Sequence, residues 1–318
     1  MSNHHHHHHG GESCRDRAGS ASQTQLKFAI ALTALVFVVE LAGGFWTNSL
    51  ALLSDAAHVF MDVFALGLSL AALYLATFPA SDTRTYGLHR TEVFAAAFNG
   101  VTLFAISIGI FYEAWERLYN PPEIKAVTMM LIALGGLIAN ALVVFKLRGH
   151  SHQDLNVHSA FLHVVGDMLA SVGVVMGGLV MLLTKLYVVD VLVSAVIGGL
   201  ILFGSGRLVR DSVHILLEGV PKGIDVNQVA EAIRRIEGVK DLHHLHIWNI
   251  CSNILALSSH VLLDPHWKGG HEALRDRINH ELADRFGVTD TTLQFDVTSE
   301  AHDTLVADLQ HPEEAEID

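Results

Sequence analysis

Residues 54–64 read SDAAHVFMDVF, inside a stretch that is otherwise apolar enough to lie in lipid. Ionisable side chains at membrane depth are expensive, so those that persist there are usually paired or used. Asp55, His58 and Asp62 therefore call for partners elsewhere in the chain. Four residues separate His58 from Asp62, which on a helix puts them on one face, offset by about 40°. Asp55, seven residues before Asp62, falls on the same stripe.

The surrounding composition fits that setting. Of 318 residues, 51% are hydrophobic and only 17% charged, which indicates an integral membrane protein rather than a soluble globule. Charge is unevenly spread: His214–Asp318 carries 19 acidic and 8 basic residues, a net −11 of the total −13. An apolar first part is thus joined to a polar, acidic second part. Cys14 and Cys251 give neither a disulfide framework nor a CxxC pair. The start is polar and the first apolar segment is long enough to span, so no cleavable signal is expected.

A span needs about 20 mostly apolar residues. Six segments qualify, at roughly 27–46, 50–78, 91–113, 126–147, 157–184 and 187–209, the first two joined by a tight turn at Thr47-Asn48-Ser49. Arg15, Arg17, Lys27, Arg84, Arg90, Lys146, Arg148, Arg207 and Arg210 fall on the side of the N-terminus, and only Arg117, Lys125 and Lys185 on the other. That asymmetry predicts both termini in the cytoplasm.

The polar part has a different rhythm. DVNQVAEAIRRIEG (225–238) spaces Val226, Val229, Ile233 and Ile236 as an amphipathic helix that stops at glycine. DLHHLHIWNI (241–250) and ILALSSHVLL (254–263) read as strands around a turn at Ser252-Asn253. HEALRDRINHELADRFG (271–287) is a second helix and TTLQFDV (291–297) a third strand. The order αββαβ predicts a small sheet with helices on one face, a ferredoxin-like α+β domain. The expected organisation is a polar tail at 1–24, a six-helix membrane domain at 25–213, the α+β domain at 214–300 and an acidic tail at 301–318.

A partner for the opening stretch stands in the fifth span. HVVGD (163–167) repeats the spacing with His163 and Asp167. Two such helices face to face supply two imidazole nitrogens and two carboxylate oxygens, a set that tetrahedral Zn2+ accepts. Harder octahedral ions would want more oxygen, and Cu(I) would want sulfur. The competing structural role is a pair of His–Asp hydrogen bonds gluing helices, worth about 1–2 kcal/mol each at best. One HxxxD is weak evidence, but two in two spans favour cation binding or transport. A membrane metalloenzyme would need an open coordination position and a general base, and there is no HExxH. A membrane metal sensor that binds without transport is the remaining alternative.

The chain resembles the cation diffusion facilitator family, in particular its zinc/cadmium/cobalt efflux and zinc-transporter branch. The resemblance rests on TNSLALLSDAAHVFMD (47–62), YGLHRTEVFAAAFNG (86–100), HVVGDMLASVGV (163–174), SVHILLEGVP (212–221) and LHHLHIW (242–248). It implies six transmembrane helices plus a cytoplasmic αββαβ domain, a homodimer, and export of divalent metal, most often Zn2+ with Cd2+ or Co2+ as further substrates, in exchange for protons. It also implies His58, Asp62, His163 and Asp167 as transport-site ligands, with histidine first in both motifs matching the zinc-preferring pattern. In the cytoplasmic domain it implies His243, His260 and Asp296 as regulatory ligands, with His271 as a further one. The lipid bilayer is the expected environment, the plasma membrane the expected location, and nucleic acid is not an expected partner.

Three departures from the family pattern stand out. His244 replaces an acidic residue of the usual His-Asp-Leu-His run, Gln294 occupies a position where some bacterial members have histidine, and Asp190-Val191 stands where Asp-Pro is common. Strand alternation places His244 and His246 on one sheet face and His243 on the other. Asp55 has two readings, support for His58 through its second nitrogen or a cap beside the hairpin turn. Glu40 likewise reads as an outer support or proton relay, or as a carboxylate near a helix end. Asn99 and Asn140 are expected to bond between helices, His158 to miss the central site, and His150, His152 and Asp154 to form a hydrated loop. The histidine run at 4–9 reads as a purification tag or a native tail and is left out of the mechanism.

Overall fold

The structure is a computed structural model describing residues 20–148, 155–251, 254–298 and 305–306. Six long helices come first: α1 (Ser20–Thr47), α2 (Leu50–Ala76), α3 (Thr91–Tyr119), α4 (Ala126–Arg148), α5 (Leu155–Thr184) and α6 (Val188–Leu216). By length and composition α2 to α6 each contain a stretch able to cross a membrane, and α1 contributes a shorter apolar stretch at Ala31–Thr47. The chain is an integral membrane protein with the six helices expected.

Hydropathy locates these helices well but stops short of their ends. α3 runs on to Tyr119 and α6 to Leu216. Their extra turns are polar and carry i,i+4 pairs, Arg117 Nε to Glu113 Oε1 at 2.9 Å and Arg207 Nε to Asp211 Oδ2 at 4.0 Å. Such pairs support a helix that apolar content no longer marks.

By internal contacts the chain forms two compact units, one from residues up to 66 with 102–205, the other from 67–101 with 206–318. In the first, α1 turns into α2 through Asn48, whose φ of 58° is left-handed, a conformation that asparagine tolerates. Ser49 N–H closes the turn onto Gly44 O at 3.2 Å. Ala51, Leu52, Met129, Ala133, Val174 and Met181 are buried together, joining α2, α4 and α5. α1 packs closely on α4 at Gly43, where a Cβ would press on the Ile132 side chain.

In the second unit, Arg90 Nη2 bonds Glu218 Oε1 at 2.7 Å. The C-terminal domain follows as α7 (Val226–Arg234), β1 (Val239–Cys251), β2 (Ile254–Leu263), α8 (His271–Phe286) and β3 (Val288–Asp296). Its sheet has the order β1-β2-β3, antiparallel between β1 and β2 and parallel between β2 and β3. This is the predicted αββαβ arrangement. Asp225 caps α7 by accepting Asn227 N–H at 2.8 Å, and Gly287, at φ 69°, ends α8. Val229 and Ile233 of α7 and Leu274, Ile278 and Leu282 of α8 are fully buried with Leu245, Leu257 and Val261 of the strands. Each such side chain contributes about 1.5–3 kcal/mol by leaving water. The β1–β2 turn at 252–253 lies outside the described residues.

Candidate metal centres

Two clusters of ligand-bearing side chains stand out among the described residues. In the first, one ligand atom each from His58, Asp62 and Asp167 lie within 4.8 Å of one another. α2 supplies the first two and α5 the third. His58 Nε2 stands 3.3 Å from Asp167 Oδ1, and Asp167 is buried. Two ligands at 2.0–2.1 Å from a tetrahedral Zn2+ are separated by about 3.3 Å, so this spacing fits a shared ion as well as a hydrogen bond. His163 lies on α5, one turn before Asp167, but its side chain falls outside the described residues. The same holds for the side chain of His158, and His150, His152, Asp154 and the run at 4–9 also lie outside them.

One turn further along α5, Ser171 Oγ donates to Asp55 Oδ2 at 3.3 Å. Asp55 thus pairs across to α5 beside the His58–Asp167 contact, and it does not cap α2. The cap is Asp190 of α6, completely buried, a residue whose role the sequence did not disclose. Its carboxylate accepts Ser49 Oγ at 2.6 Å, Leu50 N–H at 2.7 Å and Ala51 N–H at 3.3 Å. Arg117 Nη1 stands 4.0 Å away and also donates to Asn48 O. The available signal was an acidic residue at the start of α6 facing a hairpin whose donors needed an acceptor.

Glu40 of α1 is 1% exposed, and neither carboxylate oxygen has a hydrogen-bond partner. It borders a cavity of about 410 Å³ between α1 and α4, beside Gly136, where any Cβ would collide with Oε1. Asn99 and Asn140 are both buried in their helices.

The second cluster lies in the α+β domain. His243 and His260 are direct partners across β1 and β2, and Asp296 sits at the end of β3. Asp296 Oδ2 is 3.2 Å from His260 Nδ1 and 3.6 Å from His243 Nε2, and the three residues form a group within 4.8 Å. Gln294 Nε2 donates to the other oxygen, Oδ1, at 3.0 Å and so orients the carboxylate. His271 does not join them; it is exposed and its ring centroid is 5.5 Å from that of Phe295.

Strict alternation along β1 does not hold at this point. The register steps from His243↔His260 to His246↔Ser258, so β1 carries one extra residue, and His244 adopts a φ of 51°. This β-bulge swings His244 to the side of His243, with ring centroids 5.2 Å apart, instead of leaving it on the opposite face. Nearby, burial pushes the Asp241 carboxyl up, but hydrogen bonds from Arg234 Nε and Leu242 N–H and the Arg234 charge outweigh it and hold the group below its ordinary value.

Six membrane helices with a partly buried His/Asp cluster, joined to an α+β domain with a second one, fit a membrane protein that handles metal ions. Comparison with known proteins agrees. The cation efflux transmembrane domain matches residues 26–217, and the cytoplasmic domain of cation efflux proteins matches residues 221–297. The chain belongs to the cation efflux family, the cation diffusion facilitators, and is a metal cation transporter, not an enzyme. It is 40% identical to the metal cation efflux system protein CzcD of Cupriavidus metallidurans, over 87% of each chain. It is 36% identical to a cadmium, cobalt and zinc/H(+)-K(+) antiporter of Bacillus velezensis, over 92% of this chain and 94% of that one. Identity to the zinc transporter ZitB of Escherichia coli is 36%, over 86% and 87% respectively.

Proposed function

We propose that the chain exports Zn2+ in exchange for protons by alternating access, using His58, Asp62, His163 and Asp167 as the transport site. The observation that carries this reading is the convergence of His58, Asp62 and Asp167 at the α2–α5 contact. The position of His163 one turn before Asp167 offers the fourth ligand. The relatives named for zinc, cadmium and cobalt support Zn2+ as substrate, with Cd2+ and Co2+ as further ones. Zn2+ entering from the cytoplasm displaces protons from the imidazoles and meets carboxylates already charged. When the site opens outward, protons compete for the same nitrogens and favour release. Asp55, held by Ser171, supports the site from α2.

The α+β domain serves as a cytoplasmic metal sensor and dimerisation module, with His243, His260 and Asp296 as ligands. Both termini lie in the cytoplasm, a reading supported by the Lys/Arg asymmetry of the loops. The protein sits in the plasma membrane as a homodimer, the latter supported by the match of the cytoplasmic domain. The test is Zn2+ flux into proteoliposomes under an imposed pH gradient, comparing the parent with Asp62→Ala and Asp167→Ala. Flux that follows the gradient and disappears in both variants, with the dimer still folded, is the expected result. Undiminished flux in either would refute the site, and stoichiometric Zn2+ binding without flux would make the protein a sensor.

A further inference from the structure

The β1 bulge does something that the family pattern does not ask of it. It turns His244 toward His243 and His260, and the three ring centroids form a nearly equilateral triangle with sides of 5.0, 5.1 and 5.2 Å. An imidazole ligated at about 2.05 Å has its centroid about 3.2 Å from the ion, so three imidazoles on a tetrahedral ion have centroids about 5.2 Å apart. The triangle matches that figure on every side. By ligand atoms, Asp296 groups with His243 and His260 within 4.8 Å, a group that does not yet include His244, whose ring nitrogen must turn inward to join it.

The bulge is also held in place. A non-glycine residue at φ 51° is strained and persists only where its surroundings enforce it. Leu245 N–H, displaced from the ladder, donates to Leu305 O at 2.7 Å, while Leu245 is itself buried in the domain core. Ser259 Oγ donates to His243 O at 3.1 Å on the other side. These contacts fix the backbone and leave His244 only its side-chain torsions, and χ2 of histidine is soft enough to turn a ring nitrogen inward.

We propose that His244 is the fourth ligand of the α+β-domain site, so that one chain supplies a complete His243–His244–His260–Asp296 set for a Zn2+-class cation. The proposal rests on the reading of His243, His260 and Asp296 as a metal site. His271 is not needed to close it, and Gln294 acts through Asp296 instead of on the ion.

The test uses the full chain in detergent with Asp62→Ala and Asp167→Ala to silence the membrane site and with residues 4–9 replaced by serine. Zn2+ binding is measured by chelator competition, and Co2+ coordination by its visible absorption, in this background and after His243→Ala, His244→Ala or His246→Ala. Gel filtration and circular dichroism verify folding. In the expected result, His243→Ala removes one metal equivalent. His244→Ala keeps the equivalent but binds roughly tenfold or more weakly, since even groups behind a ligand are worth 10–100-fold, and its Co2+ spectrum changes. His246→Ala matches the background. A His244→Ala protein with unchanged affinity and spectrum would overturn the fourth ligand and leave the underlying site standing. If His243→Ala loses no equivalent, the site itself fails, and the proposal with it.

Discussion

At the scale of single residues, both clusters obey one rule: a histidine and an aspartate from different elements meet at the spacing of two ligands on one ion. His58 reaches Asp167 at 3.3 Å and His260 reaches Asp296 at 3.2 Å. Asp296 is then steadied from behind by Gln294. Not every close carboxylate is of this kind. Asp241, 2.7 Å from Arg234, is a structural ion pair at the start of β1. Because its folded-state pKa is depressed, the stabilisation is fully present above the ordinary carboxylate value and is lost as pH falls through the lowered one. Both partners are more than one-third exposed, so screening keeps the effect below about 1 kcal/mol. Asp241→Asn should therefore unfold slightly earlier than the parent at pH 7 and alongside it near pH 2, as measured by denaturant midpoints. A gap that persists undiminished at pH 2 would assign the stability to something other than this charge.

At the scale of elements, the first turn of α2 decides how the ligand-bearing helix is seated. Its orphan donors are answered by Asp190 from α6, with Arg117 of α3 alongside, so α2, α3 and α6 meet at one buried carboxylate. Removing an N-cap acceptor typically costs about 1–2 kcal/mol. Asp190→Ala should lower the thermal midpoint of the detergent-solubilised protein accordingly, while Asp190→Asn, which still accepts hydrogen bonds, should lose less. Equal midpoints for Ala and parent would show that Ser49 or solvent takes over the cap. This was the part least legible in the sequence. The His58/Asp62 and His163/Asp167 repeats could be read because helical spacing is local. The partner of Leu50 N–H sits 140 residues away, and nothing local announces it. The bulge at His244 was hidden for a related reason, since alternation assumes an unbroken ladder and the extra residue shows only once β1 is paired with β2.

At the scale of the whole molecule, the six spans and the αββαβ order were legible because hydropathy and periodicity are collective signals summed over many residues. In the proposed proton-coupled mechanism, the pH dependence of transport is also a property of the whole molecule, and it turns on the first residue of each motif. An unperturbed imidazole titrates near 6.5, within the range in which two compartments ordinarily differ, so under the proposal protons would compete with Zn2+ for the histidine nitrogens. In vesicles that take up Zn2+ through the exporter, lowering the lumen from about pH 7.5 to 5.5 should accelerate uptake steeply, with little further gain below that. Collapsing the gradient with a weak base should return the rate to its symmetric value. His58→Asp carries the argument one step further. The substitution exchanges an imidazole for a carboxylate that titrates near 3.9, so the steep dependence between about pH 6 and 7 should flatten while hard cations such as Mn2+ gain access. If His58→Asp kept the parent's pH profile, His58 would not be the group through which protons drive the metal. The coupling would then have to reside in His163 or in another buried carboxyl of the bundle, and His163 and Glu40, the latter buried without a hydrogen-bond partner, are the residues to replace next.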